Sequence, residues 1–160
     1  MKQEIKITAF HPAHQKDIDV MMDNISLEFK EHIRTSRSKK IIDVFELPNH
    51  KFWVATNGNQ IIGTIGLQQL DNENIVLKSM FVDQMQRGLG ISNLLLTTLE
   101  EWAAQHHFKR IYLGTMTQFA AGQRFYSKNG FEKCAQAFLP PDFIVNPLDT
   151  IFYTKRLAYY

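Results

Sequence analysis

The sequence is short of cysteine, of long apolar runs and of any excess of one charge sign across its 160 residues. A lone Cys134 cannot close an internal disulfide or build a thiolate metal cage, so the fold rests on its core and nothing implies an oxidising compartment. The longest apolar stretches fall far short of the roughly eighteen residues that a membrane helix needs. Met1 to Phe10 carries Lys2, Glu4 and Lys6 where a secretory leader would be continuously apolar. Eighteen Lys and Arg against sixteen Asp and Glu leave a formal charge of +2, too little for the electrostatic grip that duplex nucleic acid demands. No nucleic-acid or membrane partner is therefore expected, and the expected location is cytoplasmic. Internal repeats and low-complexity tracts are also missing. What is present is 44% hydrophobic and 12% aromatic content, enough to pack a core, in a length that suits one domain over residues 1–160.

Ile5, Ile7 and Ala9 alternate with Lys6 and Thr8, the period-two pattern of a half-buried strand ending at His11-Pro12. From Pro12, a residue tolerated at helix starts, Ile18, Met21, Met22, Ile25, Phe29 and Ile33 recur at three- and four-residue steps and predict one long amphipathic helix. The stretch from Arg34 to Leu47-Pro48-Asn49 reads as a loop with room for a short helix around Ile41 to Phe45. Phe52 to Thr56 and Gln60 to Gln69 form a hairpin across Asn57-Gly58-Asn59, and a turn at Asp71 to Glu73 leads to a third antiparallel strand, Ile75 to Val82. The period then changes, and Ile91, Leu94, Leu95, Thr98, Leu99 and Trp102 keep one helical face apolar. Arg110 to Gly114 reads as a strand and Phe119 to Lys128 as a helix stopped by Asn129-Gly130. Phe131 to Phe138 is a further strand, and Thr150 to Leu157 closes the sheet after an irregular loop through Pro140-Pro141.

The change of period falls on Val82-Asp83-Gln84-Met85-Gln86-Arg87-Gly88-Leu89-Gly90-Ile91-Ser92-Asn93. A helix N-terminus leaves backbone N–H groups without intrahelical partners and carries partial positive charge, so glycines there let the chain wrap a phosphate closely. Such turns also occur with no ligand. A P-loop would need Gly-Lys-Ser/Thr, which is missing. A dinucleotide fingerprint would need a third Gly or Ala where Asn93 stands, and Lys109 and Arg110 occupy the stretch where its ribose-binding acid is expected.

Met80-Phe81-Val82, Arg87-Gly88-Leu89-Gly90-Ile91-Ser92 and Gln123-Arg124-Phe125-Tyr126-Ser127-Lys128-Asn129-Gly130-Phe131 together resemble the GCN5-related N-acetyltransferase superfamily. The element order matches over nearly the whole chain, and residues 76 to 131 carry the specific part. The family signature is Arg or Gln, two residues, Gly, one residue, then Gly or Ala; Arg87 and Gly90 match it, and Ser92 replaces the last small residue. Tyr126 followed by Gly130-Phe131 fits the second family mark. The resemblance implies an α/β (α+β) fold: a mostly antiparallel mixed sheet of about seven strands with helices on both faces. It also implies acetyl-CoA as co-substrate and transfer of its acetyl group to a primary amine by direct attack. A non-catalytic acyl-CoA-binding domain is the alternative from another class.

Carried over residue by residue, the resemblance assigns backbone groups of Met80, Phe81 and Val82 to the acetyl-pantetheine arm and those of Gly88, Leu89, Gly90, Ile91, Ser92 and Asn93 to the pyrophosphate. Arg87 has two readings, a phosphate contact or a solvated turn residue. Tyr126 is expected to protonate the departing thiolate; its competing role is simple aromatic packing. Phe119 stands where the family often has a cofactor-contacting asparagine, with Gln118 and Gln123 as substitutes. Val76 stands where many members carry a glutamate base, and the base stays open among Glu28, Glu46, Glu73, His11 and ordered water. No metal is expected, because neither His11/His14 nor His106/His107 has an Asp, Glu or Cys at ligand spacing. Cys134 has no activating neighbour. The basic cluster Arg34, Arg37, Lys39 and Lys40 either borders the acceptor site or is solvated, and the Phe138 to Phe143 loop is expected to wall that site. The acceptor is a small-molecule or peptide amine. The oligomeric state is left open, although dimers are common in the family.

Overall fold

A computed structural model describes residues 4–34 and 39–157. In chain order the strands are β1 (Ile5–Ala9), β2 (His50–Asn57), β3 (Gln60–Gln69), β4 (Asn74–Val82), β5 (Arg110–Thr115), β6 (Glu132–Cys134) and β7 (Ile151–Arg156). The helices are α1 (Gln15–Ser26), α2 (Ile41–Val44), α3 (Ile91–Gln105) and α4 (Ala120–Lys128). The seven strands form one sheet ordered β1-β2-β3-β4-β5-β7-β6, antiparallel throughout except where β4 meets β5.

Alternation along the strands gives the sheet two apolar faces. On β2, Trp53 and Ala55 enter a core with Leu95, Leu99 and Ala103 of α3, while Phe52 and Val54 enter another with Ile18, Met21 and Ile25 of α1. Helices therefore cover both faces, as the family resemblance implies. Among the described residues no helix is long and apolar enough to cross a membrane.

Three elements differ from their sequence pattern. The long first helix is a 3-10 turn at Pro12–His14 followed by α1, which stops at Ser26. Phe29 and Ile33 still pack on the α1-side core, but from irregular chain, so burial kept the apolar spacing going after the helix had ended. In α3 the buried stripe runs through Leu96 and Ala103, and Leu94 is 46% exposed. β6 covers three residues and yields to a 3-10 turn at Gln136–Phe138.

Candidate active site

β4 is bonded to β3 along its length but to β5 only at its start. The parallel pairing covers Asn74↔Arg110, Ile75↔Ile111 and Val76↔Tyr112, whereas the β3 pairing continues to Gly63↔Val82. Beyond Val76 the two strands part and leave a wedge-shaped gap. On the other edge Gly66 pairs with Lys78 and Thr64 with Phe81, so three steps on β4 match two on β3. This is a β-bulge, with Ser79 at φ +54°. The hydroxyl of Thr64, a residue 1% exposed, donates to the Ser79 carbonyl at 2.7 Å and gives the irregular segment a buried partner.

The extra residue changes which side chains face which core. Ile75 and Leu77 before the bulge, and Met80 and Val82 after it, lie on the α3 side; Phe81 lies on the α1 side. Asp83 donates its N–H to the Ile62 carbonyl at 2.9 Å. By alternation along an antiparallel pair, Val82 turns its own N–H and C=O to the opposite edge, into the gap.

The glycine turn closes the gap's end. Gly90, at φ +79°, is the N-cap of α3, and Gly88 sits at φ +83°. An added Cβ at either position would meet nothing within 4 Å, so the left-handed backbone, not crowding, selects glycine. No side chain caps α3 and no acid stands in its first turn. The helix start instead opens on a recess of about 370 Å³ lined by Val82, Gln86, Arg87, Gly88, Gly90, Ile91, Ser92 and Asn93. Leu89 is outside that lining and is 56% exposed.

Tyr126 is fixed by the end of its own helix. Gly130 takes φ +88°, and Phe131 N–H reaches back to the Tyr126 carbonyl at 3.0 Å, the six-to-one bond of a Schellman cap. The Phe131 ring then packs edge-on against Tyr126 with centroids 5.4 Å apart, and Tyr153 lies 5.8 Å away. The Tyr-x3-Gly-Phe pattern is thus a helix stop that immobilises the tyrosine. Tyr126 is 7% exposed. Burial, with smaller contributions from Asp149 and Tyr153, raises its phenol well above the usual tyrosine range and keeps it a donor at neutral pH.

Residues 18–131 match the model of the acetyltransferase (GNAT) family. This chain belongs to the GNAT acetyltransferase family. It is 30% identical over 112 residues to the N-acetylaspartate synthetase of Danio rerio, a match covering 68% of this chain and 40% of that protein. It is 29% identical over 112 residues to YsnE, an uncharacterized N-acetyltransferase of Bacillus subtilis (strain 168), covering 69% and 72%. A crystal structure of a GNAT family acetyltransferase from Staphylococcus aureus Mu50 superposes with TM-score 0.88 at 31% identity, covering 97% of this chain and 100% of that one. The chain spans about two-fifths of the length of the N-acetylaspartate synthetase it matches.

Within this GNAT fold, one group near Tyr126 was not legible in the sequence. A Cβ added to Gly114 on β5 would come within 2.7 Å of Asp149 Oδ2, so the Asp149 carboxylate fills the side-chain position that Gly114 leaves empty. Asp149 N–H bonds the Asn146 carbonyl at 2.9 Å, and Thr150 N–H bonds the Thr115 carbonyl at 3.0 Å, which fixes this loop to the end of β5. Burial pushes the Asp149 carboxyl up to about 6. The available signal was a glycine inside a strand pattern, which marks a close approach.

The other candidates are placed as follows. Arg87 donates Nε–H and Nη2–H to the Val82 carbonyl at 3.2 and 3.1 Å, and forks onto Glu28, with Nη2 to Oε2 at 2.9 Å and Nη1 on Oε1. Glu46 is exposed. Glu73 pairs with Lys109 at 2.8 Å, at the end of β4 away from the glycine turn. His11 accepts from Ala13 N–H at 3.0 Å as a helix cap. Phe119 meets Phe29 and Phe81 edge-on at 5.0 and 6.2 Å, so an aromatic contact stands where the asparagine would be. Gln123 donates to the Met116 and Thr117 carbonyls, and Gln118 to Met116 Sδ.

Arg34 and Lys40 reach back to Asp23 and Asp19 of α1 at 3.0 and 3.2 Å, and Arg37 lies outside the described residues. Phe138 is 79% exposed, while Phe143 packs on Phe152 at 6.0 Å. Burial raises the Cys134 thiol, which disfavours its nucleophilic form. Among the described residues no cluster of three His, Cys, Asp or Glu is arranged to hold a metal.

Proposed function

We propose that this chain is an acetyl-CoA-dependent N-acetyltransferase that acts by direct attack of a primary amine. One observation carries the reading: a gap between β4 and β5, bordered by turned-out backbone at Val82, opens beside an uncapped helix start, and a buried tyrosine, Tyr126, stands near the Asp149 carboxylate that covers Gly114 of β5. That shape suits a ligand with a polyanionic head and a long amide-bearing arm. Backbone N–H groups of Gly88 to Asn93 hold the pyrophosphate, and gap-facing backbone at Met80 and Val82 holds the pantetheine arm, while the backbone of Phe81 between them turns to Thr64 of β3. Arg87 closes the turn from its position on the Val82 carbonyl.

When bound, acetyl-CoA supplies an activated acyl group as a thioester. A C–N bond forms at that carbonyl, the C–S bond breaks, the amine gives up a proton and the sulfur gains one. Tyr126 supplies the sulfur's proton from its buried hydroxyl. The names of the relatives support this reading, and the acceptor follows from groups of this chain rather than from theirs.

Calorimetric titration with coenzyme A and release of free thiol in the presence of amines test the proposal. Binding together with thiol release is expected. Binding without release for any amine would favour a non-catalytic acyl-CoA-binding domain, and the lack of binding at millimolar ligand would overturn both.

A further inference from the structure

Two charged side chains stand on the α1 face of the sheet, one on each side of the gap. Lys78 is one of them. It pairs with Gly66, whose Cβ direction runs into the Phe52 ring of the α1-side core, and directly paired residues of an antiparallel ladder share a face. Its neighbour Leu77 lies on the opposite, α3 side. Asp149 is the other. Ile111 and Leu113 of β5 face α3, so Gly114 faces α1, and the Asp149 carboxylate occupies the space directly over Gly114.

The last parallel pair is Val76↔Tyr112. Two residues further on each strand, on the same face, come Lys78 and Gly114, where the strands have already parted. The ammonium of Lys78 and the carboxylate of Asp149 therefore flank the opening of the gap from its two edges.

These charges are half-buried, and they do not neutralise one another. Among the described residues the Lys78 side chain makes no hydrogen bond or ion pair, and burial alone lowers its pKa. Burial alone raises Asp149. Tyr126 of α4, which belongs to the α3-side core with Tyr153 behind it, lies close enough to Asp149 for the carboxylate to help raise its phenol. On the same face Arg110 and Tyr112 precede Gly114 along β5, with Arg110 donating to the Thr154 hydroxyl at 3.1 Å, and Phe29, Phe81, Phe119, Met116 and Leu148 pack on the α1-side core. A half-buried lysine and a half-buried aspartate, each without a counter-ion among the described residues, cost stability unless a ligand supplies both opposite charges.

We propose that the acceptor is an amino acid with a free carboxylate: Lys78 binds its carboxylate, and Asp149 receives its ammonium and takes a proton from it. This assignment rests on the acetyltransferase reading above and names the acceptor class for that site. Asp149 takes one proton from the ammonium, leaving the lone pair that forms the C–N bond. The C–S bond breaks and Tyr126 protonates the sulfur, the remaining surplus amine proton returns to Tyr126 through solvent, and Asp149 releases its proton to solvent.

The experiment is a thiol-release assay on the full chain with saturating acetyl-CoA. Free amino acids, including glycine, β-alanine, aspartate and glutamate, are each compared with their methyl esters, and plain amines and polyamines complete the panel. The best free amino acid is expected to exceed its ester at least tenfold in kcat/KM. Lys78→Met should erase that preference by raising KM for the free amino acid. The same free amino acid should raise the Tm of the wild-type coenzyme A complex, and not that of the Lys78→Met complex.

Asp149→Asn should lower kcat and remove the acidic limb of its pH profile. Esters or plain amines used as well as free amino acids would overturn the proposal on the wild-type protein alone, whatever the variants do. Thiol release from amines with no carboxylate preference leaves the acetyltransferase reading standing, whereas no release from any acceptor overturns both.

Discussion

Glu28 forks its carboxylate onto the guanidinium of Arg87, tying the chain just beyond α1 to the glycine turn 59 residues later. The Glu28 side chain is 14% exposed and that of Arg87 40%, so the acid is the more desolvated partner and depends more on the pair. This contact accompanies the early end of α1, since Glu28 and Phe29 leave the helix to meet the turn and the aromatic wall.

Arg87→Ala strands a mostly buried carboxylate beside the recess at the start of α3 and frees the Val82 carbonyl. Coenzyme A should bind about tenfold more weakly, equivalent to about 1.4 kcal/mol. Glu28→Gln should cost less, because Arg87 keeps its two bonds to Val82. Calorimetric titration of both variants orders the two effects; equal losses would show that Arg87 acts only through Glu28.

Gly90→Ala forces a side chain into left-handed backbone at φ +79°. The strain is about 1–2 kcal/mol of folding stability, or it is relieved by a reshaped turn that no longer presents the α3 N-terminus. Urea unfolding and coenzyme A titration should therefore both worsen. Unchanged affinity together with unchanged stability would show that the turn tolerates a side chain and that its glycines are incidental.

Tyr126→Phe keeps the ring contacts with Phe131 and Tyr153 and removes the proton donor. Activity should fall by about a hundredfold, within the usual range for loss of a general acid, with little change in Tm near neutral pH. The folded phenol ionises above the ordinary value of 10.0. Its contribution to stability is thus whole below pH 10 and lost as pH rises further, because the unfolded chain ionises first. Alkaline melts of the wild type should drop more steeply than those of Tyr126→Phe.

Asp149→Asn should separate stability from activity. The folded carboxyl titrates at about 6 against an ordinary 3.8, so the stability it lends is full below pH 3.8 and disappears as pH climbs through 6. At pH 8 the asparagine variant should melt higher than the wild type while turning over more slowly, and near pH 3.8 the two melting points should converge. A lower Tm for the variant at pH 8 would mean that the carboxylate is held by a favourable partner.

The sheet, its hairpins and the helix that follows the glycine turn were legible because alternation and a change of period are local signals. So was the Tyr126 to Phe131 stop, since a helix cap is written in consecutive residues. The bulge at Ser79 was not, because one extra residue on β4 shows only against its partner on β3. Asp149 was hidden for a similar reason: it lies in an irregular loop, and its importance depends on a glycine on another strand. The end of α1 does not show in the sequence, because Phe29 and Ile33 are buried from irregular chain with spacing that imitates a helix.

Gly114 and Asp149 divide between two segments what a single side chain on the strand would supply. The strand offers a vacant position of fixed geometry, and the loop brings the carboxylate to it. A carboxylate carried this way can be shifted, exchanged or withdrawn by changes in the loop alone, with the hydrogen-bond ladder of β5 left intact. On the proposed assignment, acceptor preference can be altered from the loop without disturbing the backbone proposed to hold the acyl donor.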